Sequence, residues 1–303
     1  MIVADVPPGE WAAGLRAGRF DVGCGPFRFR LRSRLAALAS QLHTLYGLYP
    51  MAPAAGAFAD FHIRVDHPPG LRRWLRPQVQ FRTDGEAPFE PFPADTALPF
   101  LEWGSNWCVA TRMDGYLLLH AAVLERAGRA LLLPAWPGSG KSTLAAALMF
   151  RGWRLLSDEF GLLRPDDGLL DPFPRLIPLK NVSIGVMRRF APQAVIGPVF
   201  PKTRKGDVAH VRPSADSVAR MDEPARPAWV VYPNFQAGKP PRLVPLARER
   251  SFLKLSGNSF NYERTGLRGF ESVARLMDTT RSYLFEYGDL DAAVATLDAL
   301  AAA

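Results

Sequence analysis

The most informative segment of this chain is Ala135-Trp-Pro-Gly-Ser-Gly-Lys-Ser142. It has the spacing of the phosphate-binding motif G-x-x-x-x-G-K-[ST] (Walker A), with Ala135 in place of the first glycine. Gly138 and Gly140 let successive backbone N–H groups turn inward as a concave anion site, backed by the positive end of the following helix. The alternative is a glycine-rich turn that only joins a strand to a helix. We disfavour it because strand, loop, Lys-Ser and helix follow in the order that phosphate binding requires.

The motif predicts that ATP and Mg²⁺ bind to consecutive residues of the loop and the helix start. Lys141 is expected to reach the β- and γ-phosphates, and the Ser142 hydroxyl to hold Mg²⁺. The predicted nucleotide-binding residues here are Pro137, Gly138, Ser139, Gly140, Lys141, Ser142 and Thr143.

The flanking sequence builds a compact unit around the motif. Residues 116–125 read as a strand that carries His120, and residues 130–134 as the strand that enters the loop. A helix is predicted over residues 143–150, and the short strand after it ends in two carboxylates, Asp158 and Glu159. In most nucleotidases with this motif the strand with the Mg²⁺ carboxylate lies much further along the chain.

These residues carry a resemblance to a known family. His120, Pro137 to Thr143, and Arg151-Gly-Trp-Arg-Leu-Leu-Ser-Asp-Glu159 together resemble the catalytic domain of HPr kinase/phosphorylase, and more closely the bacterial HprK-related kinase A group. The resemblance implies an α/β fold with a compact P-loop kinase core of the HPr kinase type. Weaker matches to the related group are Glu102-Trp-Gly, Asn106-Trp107, Leu179-Lys-Asn-Val-Ser183, Lys205-Gly206, His210 and Asn258-Ser-Phe-Asn-Tyr262.

The resemblance also implies roles for individual residues. Asp158 is expected to be the catalytic base, beside Lys141, with His120 in support by orienting Asp158 or contacting phosphate. The expected metal ligands are Ser142, Glu159 and Asp158. Alternation along a strand would send the two adjacent acids to opposite faces unless the strand ends there. A hydrogen-bonded core histidine is the alternative for His120.

Two basic segments near the predicted site have two interpretations. Residues 174–181 and 202–210 are predicted to be loops, which carry Lys180 and Lys205. From composition alone they are equally well surface turns. The resemblance favours Lys180 and Lys205 facing the phosphates or the acceptor.

The sequence therefore predicts an ATP-dependent kinase that transfers the γ-phosphoryl group to a hydroxyl. The acceptor is a Ser or Thr of a peptide or protein, or a small molecule. The alternatives are an ATPase or nucleotide-gated switch, in which Asp158 or Glu159 positions water, and a nucleotide-binding partner protein with little turnover.

The 303 residues are predicted to form two parts. Residues 1–110 read as a β-rich N-terminal region with one helix, whose leucines recur at helical spacing between residues 34 and 49. Residues 111–303 read as the HPr kinase-like catalytic domain, which ends in a helix, a strand over 283–287 and a helix over 290–302.

A net charge of +8 favours an anionic partner, which ATP partly explains. Residues 26–34 alternate and place Arg28, Arg30 and Arg32 on one face of a strand, which is either a solvated face or a docking surface for an acidic partner. No recognition motif indicates nucleic acid, and no apolar run approaches membrane-spanning length. We expect a cytoplasmic protein, with a homo-oligomer left open. Cys24 and Cys108 have no metal-like spacing, and Cys108 is expected to pack as a small apolar side chain.

Overall fold

The computed structural model describes residues 1–70, 75–136 and 138–303, which form a mixed α/β protein with several sheets. The chain divides into two compact units. Unit 1 comprises Met1–Arg112, Pro178–Ile184 and Val195–Arg212, and unit 2 comprises Met113–Ile177, Gly185–Ala194 and Pro213–Ala303. The sequence-based division assigned residues 111–303 to one domain. The structure differs in the two later segments that belong to unit 1.

The first part of unit 1 is a sheet covered by helices. Its strand order is β3-β1-β2-β4-β5-β6, with β2 and β4 parallel and the other neighbours antiparallel. The elements are α1 (Pro8–Ala17), β1 (Phe20–Cys24), β2 (Phe27–Arg32), α2 (Ala36–Leu45), β3 (Met51–Pro53), β4 (Phe61–Asp66), β5 (Gln78–Thr83), β6 (Phe92–Pro93) and α3 (Ala97–Arg112). Short 3-10 helices cover Val3–Asp5 and Ala94–Thr96.

Strand β2 shows why this sheet has one apolar and one polar face. Phe27, Phe29 and Leu31 are buried, whereas the arginines between them point to the other face, as the alternation predicts. The ring of Phe29 stacks on that of Phe61 in the neighbouring strand β4, with centroids 5.2 Å apart. Cys24 and Cys108 are both buried and are not linked to each other.

The prediction of one helix in this region is corrected by the structure. Helix α2 lies where the leucine spacing placed it, but α1 and α3 are also helical among the described residues. Both contain a glycine against which a ring packs, since a Cβ on Gly14 would lie 1.9 Å from the Phe20 ring and one on Gly104 2.3 Å from the Phe81 ring. These glycines lower helix propensity but let the helices approach the sheet closely.

Unit 2 begins with the elements that surround the glycine-rich motif. They are β7 (Leu117–Arg126), β8 (Arg129–Pro134), α4 (Lys141–Phe150), β9 (Arg154–Ser157), β10 (Phe160–Leu163) and β11 (Leu170–Asp171). Antiparallel β8 lies on one edge of β7, and β9 and β10 pair with successive parts of its other edge. Asp158 and Glu159 occupy the break between β9 and β10. The predicted hairpin after the two acids is confirmed by the pairing of β10 with β11.

The following residues, up to Arg212, belong partly to unit 1 and partly to unit 2. The two loops predicted there are partly strands. Strands β13 and β14 form an antiparallel hairpin, with β12 on the other side of β14. The prediction that residues 174–181 and 202–210 are loops is therefore wrong for half of the first segment and for most of the second. The elements are β12 (Ile177–Lys180), α5 (Val182–Phe190), β13 (Phe200–Thr203) and β14 (Gly206–Val211).

The C-terminal part of unit 2 completes the large sheet. Strand β15 is parallel to β8 and to β17, and β16 closes the edge antiparallel to β17. The elements are α6 (Ala215–Ala219), β15 (Arg226–Phe235), β16 (Arg242–Pro245), α7 (Arg248–Ser256), α8 (Tyr262–Thr279), β17 (Arg281–Tyr287) and α9 (Leu290–Ala302). None of the helices in the described ranges combines the length and the apolarity that crossing a bilayer requires.

Candidate functional site

The glycine-rich loop, residues 135–140, joins β8 to α4. Gly138 has φ 92° and Gly140 has φ 87°, which is the left-handed region that side-chain-bearing residues rarely adopt. Ala135 is buried and Trp136 is exposed. Pro137, a predicted nucleotide-binding residue, lies outside the described residues. The backbone at both described glycines thus has a conformation that disfavours any side chain.

The loop lies against the ends of the parallel strands β15 and β17. The backbone N–H of Phe235 donates to the carbonyl of Ser139 at 3.2 Å. A Cβ on Gly140 would lie 2.5 Å from the Tyr287 hydroxyl and 3.1 Å from Cβ of Phe235. The position of Gly140 therefore has no room for a side chain, and the loop is supported at the carboxyl ends of the parallel strands, where ligands bind in many α/β sheets.

The first residues of α4 contact the first of the two acids. The Ser142 hydroxyl donates to Oδ2 of Asp158 at 2.7 Å. Nζ of Lys141 donates to the Asp158 carbonyl and lies 3.9 Å from Oδ1 of the same residue. The Asp158 side chain is 2 % exposed. Three predicted site residues, Lys141, Ser142 and Asp158, are thus in mutual contact, because β9 ends at Ser157, beside the start of α4.

The second acid faces the predicted histidine. Phe160 is the register partner of His120, so the break before Phe160 brings Glu159 alongside. Oε1 of Glu159 lies 3.8 Å from Nε2 of His120, and the Glu159 side chain is 35 % exposed. Burial, and then the charge of Lys141, lower the pKa of the His120 imidazole from its ordinary value of 6.5, and Glu159 opposes this only in part. The lowered pKa therefore favours the neutral imidazole.

Asn258 holds His120 from the segment after α7. Its amide nitrogen donates to the His120 carbonyl at 3.0 Å, and its backbone carbonyl accepts from the His120 N–H at 3.1 Å. Oδ1 of Asn258 lies 3.3 Å from Nδ1 of His120. Because the amide oxygen can only accept, Nδ1 carries the proton, and Nε2, toward Glu159, is left as an acceptor.

The loop has the features that a phosphate group needs. No side chain among the described residues caps the start of α4, whose first N–H groups are the usual ligands of an anion. The hydroxyl oxygen of Ser139 is buried and has no hydrogen-bond partner among the described residues. A buried polar atom of this kind calls for a partner, which a phosphate oxygen can supply.

The donor set also fits Mg²⁺. Proteins hold this ion through one or two carboxylates together with substrate phosphates. Ser142 and Asp158 offer a hydroxyl and a carboxylate in direct contact. Across the described ranges no group of three His, Cys, Asp or Glu side chains could hold a metal ion by itself. The residues thus suit a metal ion that shares its ligands with a bound phosphate.

The remaining predicted residues are distributed over both units. Thr143 lies in the first turn of α4, beside Ser142. Lys180 ends β12, and Lys205 lies in the turn between β13 and β14. Both lysines belong to unit 1, whereas the loop, both acids and His120 belong to unit 2.

Three residues of this site have no role that the sequence predicts. Asn258 belongs only to the weaker part of the resemblance, and its contact with a strand more than a hundred positions away leaves no local pattern. Tyr287 is predicted only as a strand residue, and Phe235 lies outside the predicted strands, although both support the loop. A scan against protein-family models finds no match, and a search of the curated proteins finds no significant relative.

Proposed function

We propose that the protein is an ATP-dependent kinase with a P-loop core of the HPr kinase type, which transfers the γ-phosphoryl group of ATP to a hydroxyl. The observation that carries this proposal is the contact of Lys141 and Ser142 with the buried Asp158 at the start of α4. A cation, a hydroxyl and a carboxylate meet there beside two glycines with left-handed backbone. Phosphoryl transfer requires this combination, because the enzyme mainly positions groups and neutralises charge.

The loop and the helix start would bind the phosphates. The backbone N–H groups of the first turn of α4 and the Ser139 hydroxyl face the anion, and Lys141 contributes the nearest cation. In the structure Nζ of Lys141 donates to the Asp158 carbonyl. A bound phosphate oxygen would replace this carbonyl as the acceptor. Mg²⁺, when bound, neutralises the charge that develops on the β- and γ-phosphoryl oxygens.

The contacts favour the reverse of the roles that the sequence predicts for the two acids, with Asp158 as the metal ligand and Glu159 as the base. Asp158 is nearly inaccessible and already accepts the Ser142 hydroxyl, which is the partner expected of a metal ligand. Glu159 is about one-third exposed and therefore within reach of an acceptor. We accordingly assign Ser142 and Asp158 as the metal ligands and Glu159 as the catalytic base.

His120 would assist the base. Its Nε2 and the Glu159 carboxylate are both proton acceptors, 3.8 Å apart, so a hydroxyl between them can donate to either. Asn258 fixes the ring and its tautomer. The acceptor hydroxyl would be oriented by this pair and would give its proton to Glu159 during transfer.

Incubation with ATP that carries a radioactive γ-phosphate tests the proposal, with the protein alone and with cell extract. The expected result is Mg²⁺-dependent label on an acceptor, absent with Lys141→Ala. Free phosphate without a labelled acceptor would show an ATPase instead. No turnover in either arm would contradict enzymatic function and favour a nucleotide-binding partner protein.

A further inference from the structure

The polar face of the unit 1 sheet carries a basic groove that the proposed kinase site does not use. It has a volume of about 830 Å³ and crosses β2, β4 and β5. Its described lining includes Arg30, Arg32, His62, Arg64, His67 and Arg82. All described lining residues lie in unit 1, and none of them is a residue of the proposed kinase site.

Three arginines form a row across the groove. Arg32 is the register partner of Arg64, and Arg64 is the register partner of Arg82. We call these three residues the arginine row. Like charges directly opposite each other on neighbouring strands are destabilising. A row of this kind is therefore better suited to binding an anion than to supporting the sheet.

The carboxylates near the row leave its two outer arginines available. Asp66 pairs with the central Arg64 at 2.7 Å, and Asp84 pairs with Arg112. Arg32 donates to a backbone carbonyl, that of Arg16, at 3.2 Å. Arg82 likewise donates to the carbonyl of Gly85 at 3.4 Å. Neither outer arginine has an ion-pair partner in the part of the chain that the structure describes.

The structure changes the residues expected to form the docking strand. Arg28 is not among the described residues that line the groove. Arg30 lines it, but its guanidinium group is bound to Asp21 at 2.8 Å and 2.9 Å and to the carbonyls of Ala54 and Ala57. Arg32 alone of the predicted three keeps an outward-facing charge within the groove.

We propose that this groove binds an acidic segment of a partner polypeptide, with carboxylates at Arg32 and Arg82. The row spans two strand spacings, about 10 Å, which exceeds the size of a single carboxylate or phosphate. An extended segment repeats its side chains on one face about every 7 Å, so successive acids can reach both outer arginines.

The lining favours a polypeptide over nucleic acid. Single-stranded nucleic acid is bound by aromatic platforms, and the described lining contains no phenylalanine, tyrosine or tryptophan. Asp66 and Asp84 also line the groove and would repel a continuous phosphate backbone. A polypeptide meets less of this repulsion, because neutral backbone separates its acidic side chains.

Fluorescence anisotropy with a labelled peptide of alternating glutamate and serine tests the inference, without nucleotide. The same peptide with glutamine in place of glutamate controls for charge. The double variant R32S/R82S is compared with R28S/R250S, which removes equal charge from two exposed arginines outside the described lining. We expect R32S/R82S to weaken binding about 5- to 30-fold and the control to change it less than twofold.

Three outcomes would overturn the inference. They are absence of binding to the wild-type protein, equal loss in both double variants, and tighter binding of an oligothymidine of equal length. If R32S/R82S does not fold by circular dichroism, R32K/R82K replaces it. The lysine variant keeps the charge and should retain salt-sensitive peptide binding, so its complete loss of binding would also contradict the proposal.

Discussion

Exchanging one carboxylate for an amide at a time separates the roles of the two acids. Glu159→Gln keeps the size of the side chain and removes the proposed base. The side chain is about one-third exposed and faces His120, so its loss should leave the loop intact. A base contributes roughly 10²- to 10⁴-fold, equal to about 2.7–5.4 kcal/mol of activation free energy. Transfer should fall by that factor, with Mg·ATP affinity within about twofold of wild type.

Asp158→Asn should behave differently. At the 3.9 Å between Nζ of Lys141 and Oδ1 of Asp158, an effective dielectric constant of about 20 gives an attraction of about 4 kcal/mol. Removing one partner of a buried ion pair costs about 3–5 kcal/mol, so this variant should also unfold more easily. The Mg²⁺ concentration for half-maximal turnover should rise at least about tenfold, because a metal ligand has lost its charge.

Both variants are measured by single-turnover transfer of radioactive γ-phosphate and by Mg·ATP titration on the same preparations. The distribution of roles is refuted if Asp158→Asn binds Mg·ATP normally but loses transfer while Glu159→Gln transfers at the wild-type rate. That result would return the base to Asp158, as expected from the sequence.

Three further predictions concern Ser142, Asn258 and the buried pair of Glu125 with Arg154. Ser142→Ala should raise the Mg²⁺ concentration for half-maximal turnover about tenfold, whereas Ser142→Thr keeps the hydroxyl and should not, and a metal titration distinguishes them. Asn258→Ala should lower the turnover rate about tenfold at unchanged nucleotide affinity, because Asn258 fixes the ring of His120. An unchanged rate would show that Asn258 has no part in the reaction. Glu125→Gln should cost about 3–5 kcal/mol at pH 7, since Glu125 and Arg154 form a buried pair at 2.6 Å. Burial alone would raise the pKa of Glu125, but hydrogen bonds from Arg154 and the Gly128 N–H lower it below 4.5. This stabilisation is complete above about pH 4.5 and is lost as pH falls through the folded-state pKa, so melts at several pH values should show the wild-type advantage shrinking in acid.

The elements nearest the loop were predictable because their signals are local. Apolar runs on either side of the turn at residues 126–129 predict β7 and β8, the helix-prone run after the motif predicts α4, and helical spacing of leucine and valine predicts α9. The contact between Ser142 and Asp158 follows from a compact unit in which only one helix separates the two positions. The orientation of the acids was not predictable, because it depends on the break between β9 and β10.

The missed helices of unit 1 show how tertiary packing overrides propensity. Glycine inside α1 and α3 argues locally against a helix. Phe20 and Phe81 fill the space that Gly14 and Gly104 leave, so the same glycines stabilise the packed state. Such a pairing joins a helix to a strand and cannot be read from a sequence window.

The residues that support the site were hidden for a similar reason. Asn258 meets His120 through contacts with a strand far away in sequence. The segments that contain β12 to β14 carry several basic and amide side chains, among them Lys180, Asn181 and Lys205, which favour loops locally. In a small sheet such residues are well tolerated, and charge on edge strands limits unwanted pairing.

Calorimetric titration of Mg·ATP into wild type, Lys141→Ala and Lys254→Ala measures whether Mg·ATP binds at the glycine-rich loop. Lys254 is an exposed lysine of α7 and serves as the matched control. We expect saturable, one-to-one binding to wild type and to Lys254→Ala, and at least about tenfold weaker binding to Lys141→Ala, because that variant loses the cation nearest the phosphates. Equal affinity in all three proteins, or no binding to wild type, would show that the loop is not the nucleotide site.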